Sequence, residues 1–67
     1  MADFFEIIVW DDNGTPGLTG ASSYYPEDLA KMGLKNAEEL KAHLIARGHS
    51  VERVVYVDYI HDISRIV

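Results

Sequence analysis

Residues 3–10 read Asp-Phe-Phe-Glu-Ile-Ile-Val-Trp and run into Asp-Asp-Asn-Gly at residues 11–14. β-branched and aromatic residues favour extended backbone, whereas clustered Asp, Asn and Gly favour a turn. The stretch therefore predicts a strand that ends near residue 10. Side chains alternate between the two faces of a strand. One face of this strand carries Phe5, Ile7 and Val9, and the other carries Phe4, Glu6, Ile8 and Trp10.

A second strand is predicted over residues 51–60, which read Val-Glu-Arg-Val-Val-Tyr-Val-Asp-Tyr-Ile. We expect Val55, Val57 and Tyr59 to join the Phe5 face of the first strand, because this combination gives the cleaner apolar face. The opposite side of the second strand carries Glu52, Val54, Tyr56, Asp58 and Ile60.

Two helices are predicted between these strands. Residues 26–32 begin with a proline, continue with two acids that complement the helix dipole, and are followed by Gly33. Residues 36–47 begin with the capping-box pair Asn36 and Glu39 and are followed by Gly48. The longer helix has an apolar stripe suited to covering a sheet face. The stripe consists of Ala37, Leu40 and Leu44, with Ile45 at its edge.

Two further strands are expected from weaker signals. Asn13-Gly14 can close a tight hairpin, which would leave an edge strand between Leu18 and Tyr25, and residues 63–67 can pair as a terminal strand. The chain is therefore predicted to form one small α/β (α+β) domain over residues 1–67, with the element order β(β)ααβ(β). The two main strands are joined through helices, which allows a parallel or mixed sheet.

The size of the chain limits its function. Sixty-seven residues are far too few for the large barrel and dinucleotide-binding folds of many enzymes. A domain of this size buries only ~60% of the surface of its unfolded chain, and no cysteine is present to add a disulfide. Association with another chain is a common remedy. The acidic start and the lack of a long apolar run indicate a cytoplasmic protein without a membrane segment.

Catalytic and metal-binding patterns are not found. The three histidines, His43, His49 and His61, lack a His-Glu-x-x-His arrangement and have no cysteine to complete a zinc site. Strand alternation also turns His61 away from Asp58. No serine stands in a nucleophile-elbow pattern. We therefore expect no enzyme activity, no metal and no cofactor.

Charge is distributed unevenly along the chain. Residues 1–30 hold six acids and no Lys or Arg, while the whole chain carries a net charge of −5. Such a surface repels phosphate, which argues against direct nucleic-acid binding, and attracts basic protein surfaces. The first hypothesis is a small acidic inhibitor or adaptor that docks on a basic surface of another protein, such as a nucleic-acid-binding protein. Its predicted contact residues are Asp11, Asp12, Tyr24, Tyr25, Glu27 and Asp28.

The alternative hypothesis is a homo-oligomeric structural protein. The reverse face of the predicted sheet is more apolar than a solvated face normally is. Either the 26–32 helix and the 11–25 loop cover it, or a second copy does, as in a homodimer. The predicted oligomer face consists of Phe4, Ile8, Trp10, Val54, Tyr56 and Ile60.

Overall fold

The computed structural model describes residues 4–11 and 20–67, which form four strands and two helices. The order ββααββ confirms the predicted α+β class, including both strands that had weak signals. The Asn13-Gly14 turn and Asp12 lie outside the described residues. The elements are β1 (Phe5–Asp11), β2 (Gly20–Tyr24), α1 (Pro26–Met32), α2 (Ala37–Ala46), β3 (Val51–Asp58) and β4 (Ile63–Ile66).

The sheet has the strand order β2-β1-β3-β4, and every neighbouring pair is antiparallel. The expectation of a parallel or mixed sheet is therefore wrong. The reason is that β2 reverses the chain before the helices carry it back across the sheet. β3 consequently runs parallel to β2 and antiparallel to β1, which lies between them.

The core lies between one face of this sheet and both helices. Val9 faces Val54 directly across the β1–β3 pair, and Ile7 faces Tyr56. The predicted core side of β3 is therefore wrong: the side of Ile7 is shared by Val54 and Tyr56, and not by Val55, Val57 and Tyr59. The buried apolar side chains, each at most 4% exposed, are Ile7, Val9, Leu29, Ala37, Leu40, Leu44 and Val54.

Local sequence signals account for the ends of the helices. The Tyr25 N–H donates to the Asp28 carboxylate at 2.8 Å at the start of α1, and Gly33 ends that helix with a left-handed φ of 75°. At the start of α2, the Glu39 N–H donates to Asn36 Oδ1 at 2.8 Å. Gly48 follows α2 with a φ of 92°, as its position predicts. Neither helix within the described ranges is long and apolar enough to cross a membrane.

Polar contacts attach the β4 edge to α2. Arg65 lies 3.1 Å from a Glu38 carboxylate oxygen, and its guanidinium lies 5.1 Å from the centre of the Tyr56 ring. Lys41 Nζ donates to the Val67 carbonyl oxygen at 3.0 Å. These contacts join β4, the edge strand next to β3, to the helix that covers the core.

Candidate functional site: the open face of the sheet

The sheet face opposite the helices is the candidate site. The buried residues of α1 and α2 pack with Ile7, Val9 and Val54, so both helices lie on the other side. Among residues 4–11 and 20–67 no helix lies on this surface, which we call the open face, and most of the 11–25 loop that was expected as one possible cover lies outside the described residues. Strand register assigns to it Glu6, Ile8, Trp10, Ala21, Ser23, Arg53, Val55, Val57, Ser64 and Ile66. Phe4 and Tyr59, which flank the strands, join it through the Tyr59–Glu6 hydrogen bond and the contact between their rings.

The centre of the open face is apolar. Ile8 faces Val55 directly across the β1–β3 pair, and Val57 lies next to them along β3. These three side chains are half-buried, whereas Ile66 on the β4 edge is 72% exposed. An apolar surface of this kind in the middle of a sheet is typical of a protein contact.

Glu6 is the acid of this face, and three hydroxyl groups surround it. Ser23 Oγ and the Tyr59 hydroxyl each donate to its carboxylate at 2.5 Å, and the Tyr25 hydroxyl lies at 3.5 Å. The Phe4 ring lies 5.4 Å from the Tyr59 ring. We call these five residues the Glu6 cluster.

The hydrogen bonds shift the titration of both partners in the cluster. Donation by Ser23, and next by Tyr59, holds the pKa of the Glu6 carboxyl below its ordinary value of 4.5. Donation to Glu6 in turn raises the pKa of Tyr59 above 10.0. Between the lowered pKa of Glu6 and the raised pKa of Tyr59, the cluster therefore holds an ionised carboxylate and neutral hydroxyl donors. A carboxylate beside exposed aromatic rings is suited to bind a cationic side chain.

A cation lies at the other end of the open face. The Arg53 guanidinium lies 4.3 Å from the centre of the Trp10 ring. Arg53 and Trp10 face each other across β1 and β3, as do Val57 and Glu6 at the opposite end. The open face therefore has an acid at one end, a cation at the other and apolar side chains between them.

The five predicted contact residues that the structure describes do not form one surface. Asp11 is only 6% exposed, and its carboxylate lies 3.1 Å from His49 Nδ1 on the helix side. Strand alternation explains this, because β1 continues one residue further than predicted and Asp11 has the parity of Val9. Tyr24 lies on the same side, where burial raises its pKa.

The remaining predicted contacts lie near the start of α1. Asp28 accepts the Tyr25 N–H as part of the helix cap, and Glu27 is exposed. Tyr25 alone of the predicted set contributes to the Glu6 cluster. Asp12 lies outside the described residues. The described acids of this set are thus separated: Asp11 lies on the helix side of the sheet, Asp28 caps α1, and Glu27 is exposed to solvent.

Only some of the residues predicted to form the oligomer face lie on the open face. Phe4, Ile8 and Trp10 do lie together on the open face. Val54 is a core residue with 0% exposure, and Tyr56 lies beside it, so their assignment to this face is wrong. Ile60 is exposed in the turn that follows β3. The error in β3 follows from the antiparallel register, since both sides of that strand are apolar enough to be buried.

Sequence reasoning missed the Glu6 cluster and the position of Arg53. Ser23 and Tyr59 are 17 and 53 residues away from Glu6 in the chain, so only the paired strands bring them together. One signal was present: a single acid stands on an otherwise apolar side of the first strand. An acid in such a position needs polar partners on neighbouring strands.

His61 also differs from its prediction. Its Nδ1 lies 2.9 Å from the Asp58 carboxylate, because the chain turns after β3 and strand alternation no longer applies. The backbone N–H of His61 lowers the pKa of Asp58, and the His61 ring adds to the effect. Within residues 4–11 and 20–67, no three acid or histidine side chains gather where they could hold a metal ion.

The titration of Glu6 is a direct test of the cluster. Replacing Ser23 by alanine is expected to raise the Glu6 pKa toward 4.5, because the largest cause of the lowered value is removed. Replacing Ser22, whose side chain lies on the helix side, by alanine is the matched control and should leave it unchanged. The measurement is an NMR pH titration of the Glu6 carboxyl carbon. Identical curves for both variants would contradict the cluster.

The same shift has a consequence for stability. A carboxyl with a lowered pKa in the fold stabilises it above the unfolded-state pKa, and this contribution is lost as the pH falls through the folded-state value. The Ser23→Ala variant should therefore lose less stability than the wild type when the pH is lowered below 4.5.

Comparison with known proteins assigns no family to the chain. No protein-family model, curated protein or solved structure matches it. Its function is therefore inferred from the open face itself.

Proposed function

We propose that this protein is a non-enzymatic binding module that recognises another protein chain through its open face. The observation that carries the proposal is the Glu6 cluster, an ionised carboxylate held by hydroxyl donors at the end of an apolar sheet surface. The partner's contact surface is apolar with a cationic side chain at its edge. Compared with the first hypothesis, Glu6 replaces the predicted acids, and the partner needs one cationic side chain rather than a basic surface.

The Glu6 cluster is preorganised to bind a cationic side chain. An ionised carboxylate has about four acceptor positions, and the three hydroxyl groups leave room for a further donor. Ser23 and Tyr59 hold the carboxylate in one orientation, which reduces the entropy that a partner must overcome on binding. Phe4 and Tyr59 are 55% and 52% exposed and offer ring surface beside the charge. Aromatic rings around a buried charge pair are typical of energetic centres in interfaces.

The apolar centre of the open face supplies contact area. Ile8 and Val55 face each other there, and a partner with a matching apolar surface removes them from water in the complex. The Glu6 cluster at one end of this surface adds a contact to a cationic side chain.

The experiment uses a photo-crosslinking amino acid in the protein expressed in its own cells. Placed at Phe4, it is expected to give one discrete protein adduct, and this adduct should weaken at least several-fold when Glu6→Gln is added. The matched control position is Ala42, which is exposed on α2. Equal labelling from Phe4 and Ala42, or an adduct that does not depend on Glu6, would contradict the proposal.

A further inference from the structure

We infer that the partner is a second copy of this chain, packed open face to open face about a two-fold axis that runs across the strands. This inference rests on the proposed function and specifies its partner. It is carried by the placement of two opposite charges on one apolar surface. An isologous contact requires a surface that is complementary to itself, and the open face has this property.

The two charges lie at equal distances from the middle of the face. Ile8 and Val55 form the central pair of β1 and β3. Glu6 is two residues from Ile8 in one direction, and Trp10, which carries the Arg53 guanidinium on its ring, is two residues away in the other. At a rise of about 3.3 Å per residue, Glu6 and the Trp10 position are separated by about 13 Å.

This symmetry selects the direction of the two-fold axis. An axis across the strands, through the Ile8–Val55 pair, reverses the strand direction of the second copy. Glu6 of each copy then lies over Trp10 of the other, where the second Arg53 guanidinium is located. An axis along the strands would instead bring the two Glu6 carboxylates together and the two Arg53 side chains together. Only the first arrangement pairs opposite charges, and it does so twice.

The apolar part of the face fits the same arrangement. Ile8, Val55 and Val57 lie between the charged ends and are half-buried in the single chain. In the dimer they pack against the same residues of the second copy, at the sheet-to-sheet spacing of about 10 Å that is usual for aligned sheets. Ile66, which is 72% exposed, lies at the margin of this surface. A 67-residue chain with a small core gains from such burial.

The affinity of this dimer should increase with salt concentration over the low to moderate range. Each copy carries a net charge of −5, so the two copies repel each other at long range. Salt screens this repulsion, while the Glu6–Arg53 contacts between the sheets are screened less because they are shielded from solvent. Raising the salt concentration from low to moderate should therefore strengthen association. Docking of the acidic chain on a basic protein would weaken under the same change.

The first test is a charge exchange followed by sedimentation equilibrium of the purified protein. Glu6→Arg and Arg53→Glu should each raise the dimer dissociation constant at least ten-fold, because each places like charges together. The double variant Glu6→Arg/Arg53→Glu should restore association to within a few-fold of the wild type. Glu27→Arg, at an exposed position on α1, makes the same charge change away from the open face and is the control. Circular dichroism identifies any variant that does not fold.

The second test does not depend on changing Glu6. The chain has no cysteine, so Phe4→Cys gives a single site for a spin label. With the axis across the strands, the two labels are separated by about 28 Å, whereas an axis along the strands would bring them to about 11 Å. Electron paramagnetic resonance distance measurement distinguishes the two. The shorter distance would overturn the arrangement.

The outcomes separate the inference from the proposed function. A wild-type protein that stays monomeric at high concentration overturns the second copy as partner. If the Phe4 photo-crosslink to a different protein still depends on Glu6, the binding function stands and only its partner changes. A monomer without such a crosslink overturns both. Failure of the double variant to restore a dimer that both single variants dissociate overturns the Glu6–Arg53 pairing.

Discussion

Replacing Val54 by aspartate is expected to abolish folding, whereas the same change at the next residue, Val55, is expected to leave a folded protein. Val54 is 0% exposed between the sheet and the helices, while Val55 lies on the open face. A buried carboxylate without a partner costs several kcal/mol, and a domain of this size has a total stability of about 3–5 kcal/mol. The fraction folded is measured by circular dichroism during urea titration.

Each of the two variants is the control for the other, because Val54 and Val55 are the same residue type and are adjacent in the chain. Val55→Asp should also weaken the association of the open faces, since it places a charge at the centre of that surface. Unfolding by Val55→Asp in dilute solution, or a cooperative and folded Val54→Asp protein, would show that the two sides of β3 are assigned the wrong way round.

Local signals in the sequence were sufficient for the elements but not for the sides of β3. Proline, Asn36 and the glycines after each helix mark the ends of α1 and α2, because capping depends on residues that are close in the chain. The side of β3 depends on its register with β1, which is a long-range property. Both pairs, Val54 with Tyr56 and Val55 with Val57, are apolar enough to be buried, so alternation alone does not distinguish them.

Strand direction was not predictable from the main strands for a similar reason. Two strands joined by helices form a parallel pair when they are neighbours in the sheet. Here β2 lies between β1 and the helices in the chain, and β3 enters on the other side of β1. The antiparallel pairing of β1 with β3 therefore follows from the presence of β2, whose exposed residues Gly20 to Ser23 gave only a weak strand signal.

The functional surface was predictable only in its apolar part. The excess of apolar side chains on the reverse face of β1 correctly placed Phe4, Ile8 and Trp10 together. The prediction of an acidic contact site was wrong because a count of charges along the chain does not show where each charge lies in the fold. Asp11 follows the inward parity of β1, whereas Glu6 meets hydroxyl groups from β2 and from the residue after β3.

Replacing Leu40 by alanine is expected to destabilise the protein by about 2–5 kcal/mol, which equals most of the stability of a domain of this size. Leu40 is 0% exposed near the middle of α2 and belongs to the same buried cluster as Ile7 and Val54. Removing its side chain leaves a cavity that the rigid sheet on one side cannot fill. At room temperature a large fraction of the variant should therefore be unfolded, as measured by chemical denaturation.

Ile45→Ala is the matched control, because Ile45 lies on the same helix but is 53% exposed. Alanine has a higher helix propensity than isoleucine, so this variant should be as stable as the wild type or slightly more so. Equal destabilisation by the two substitutions would mean that the outer side of α2 is covered as well. Loss of stability from Leu40→Ala alone would place the packing on the helix side of the sheet, which leaves the open face as the surface available to a partner.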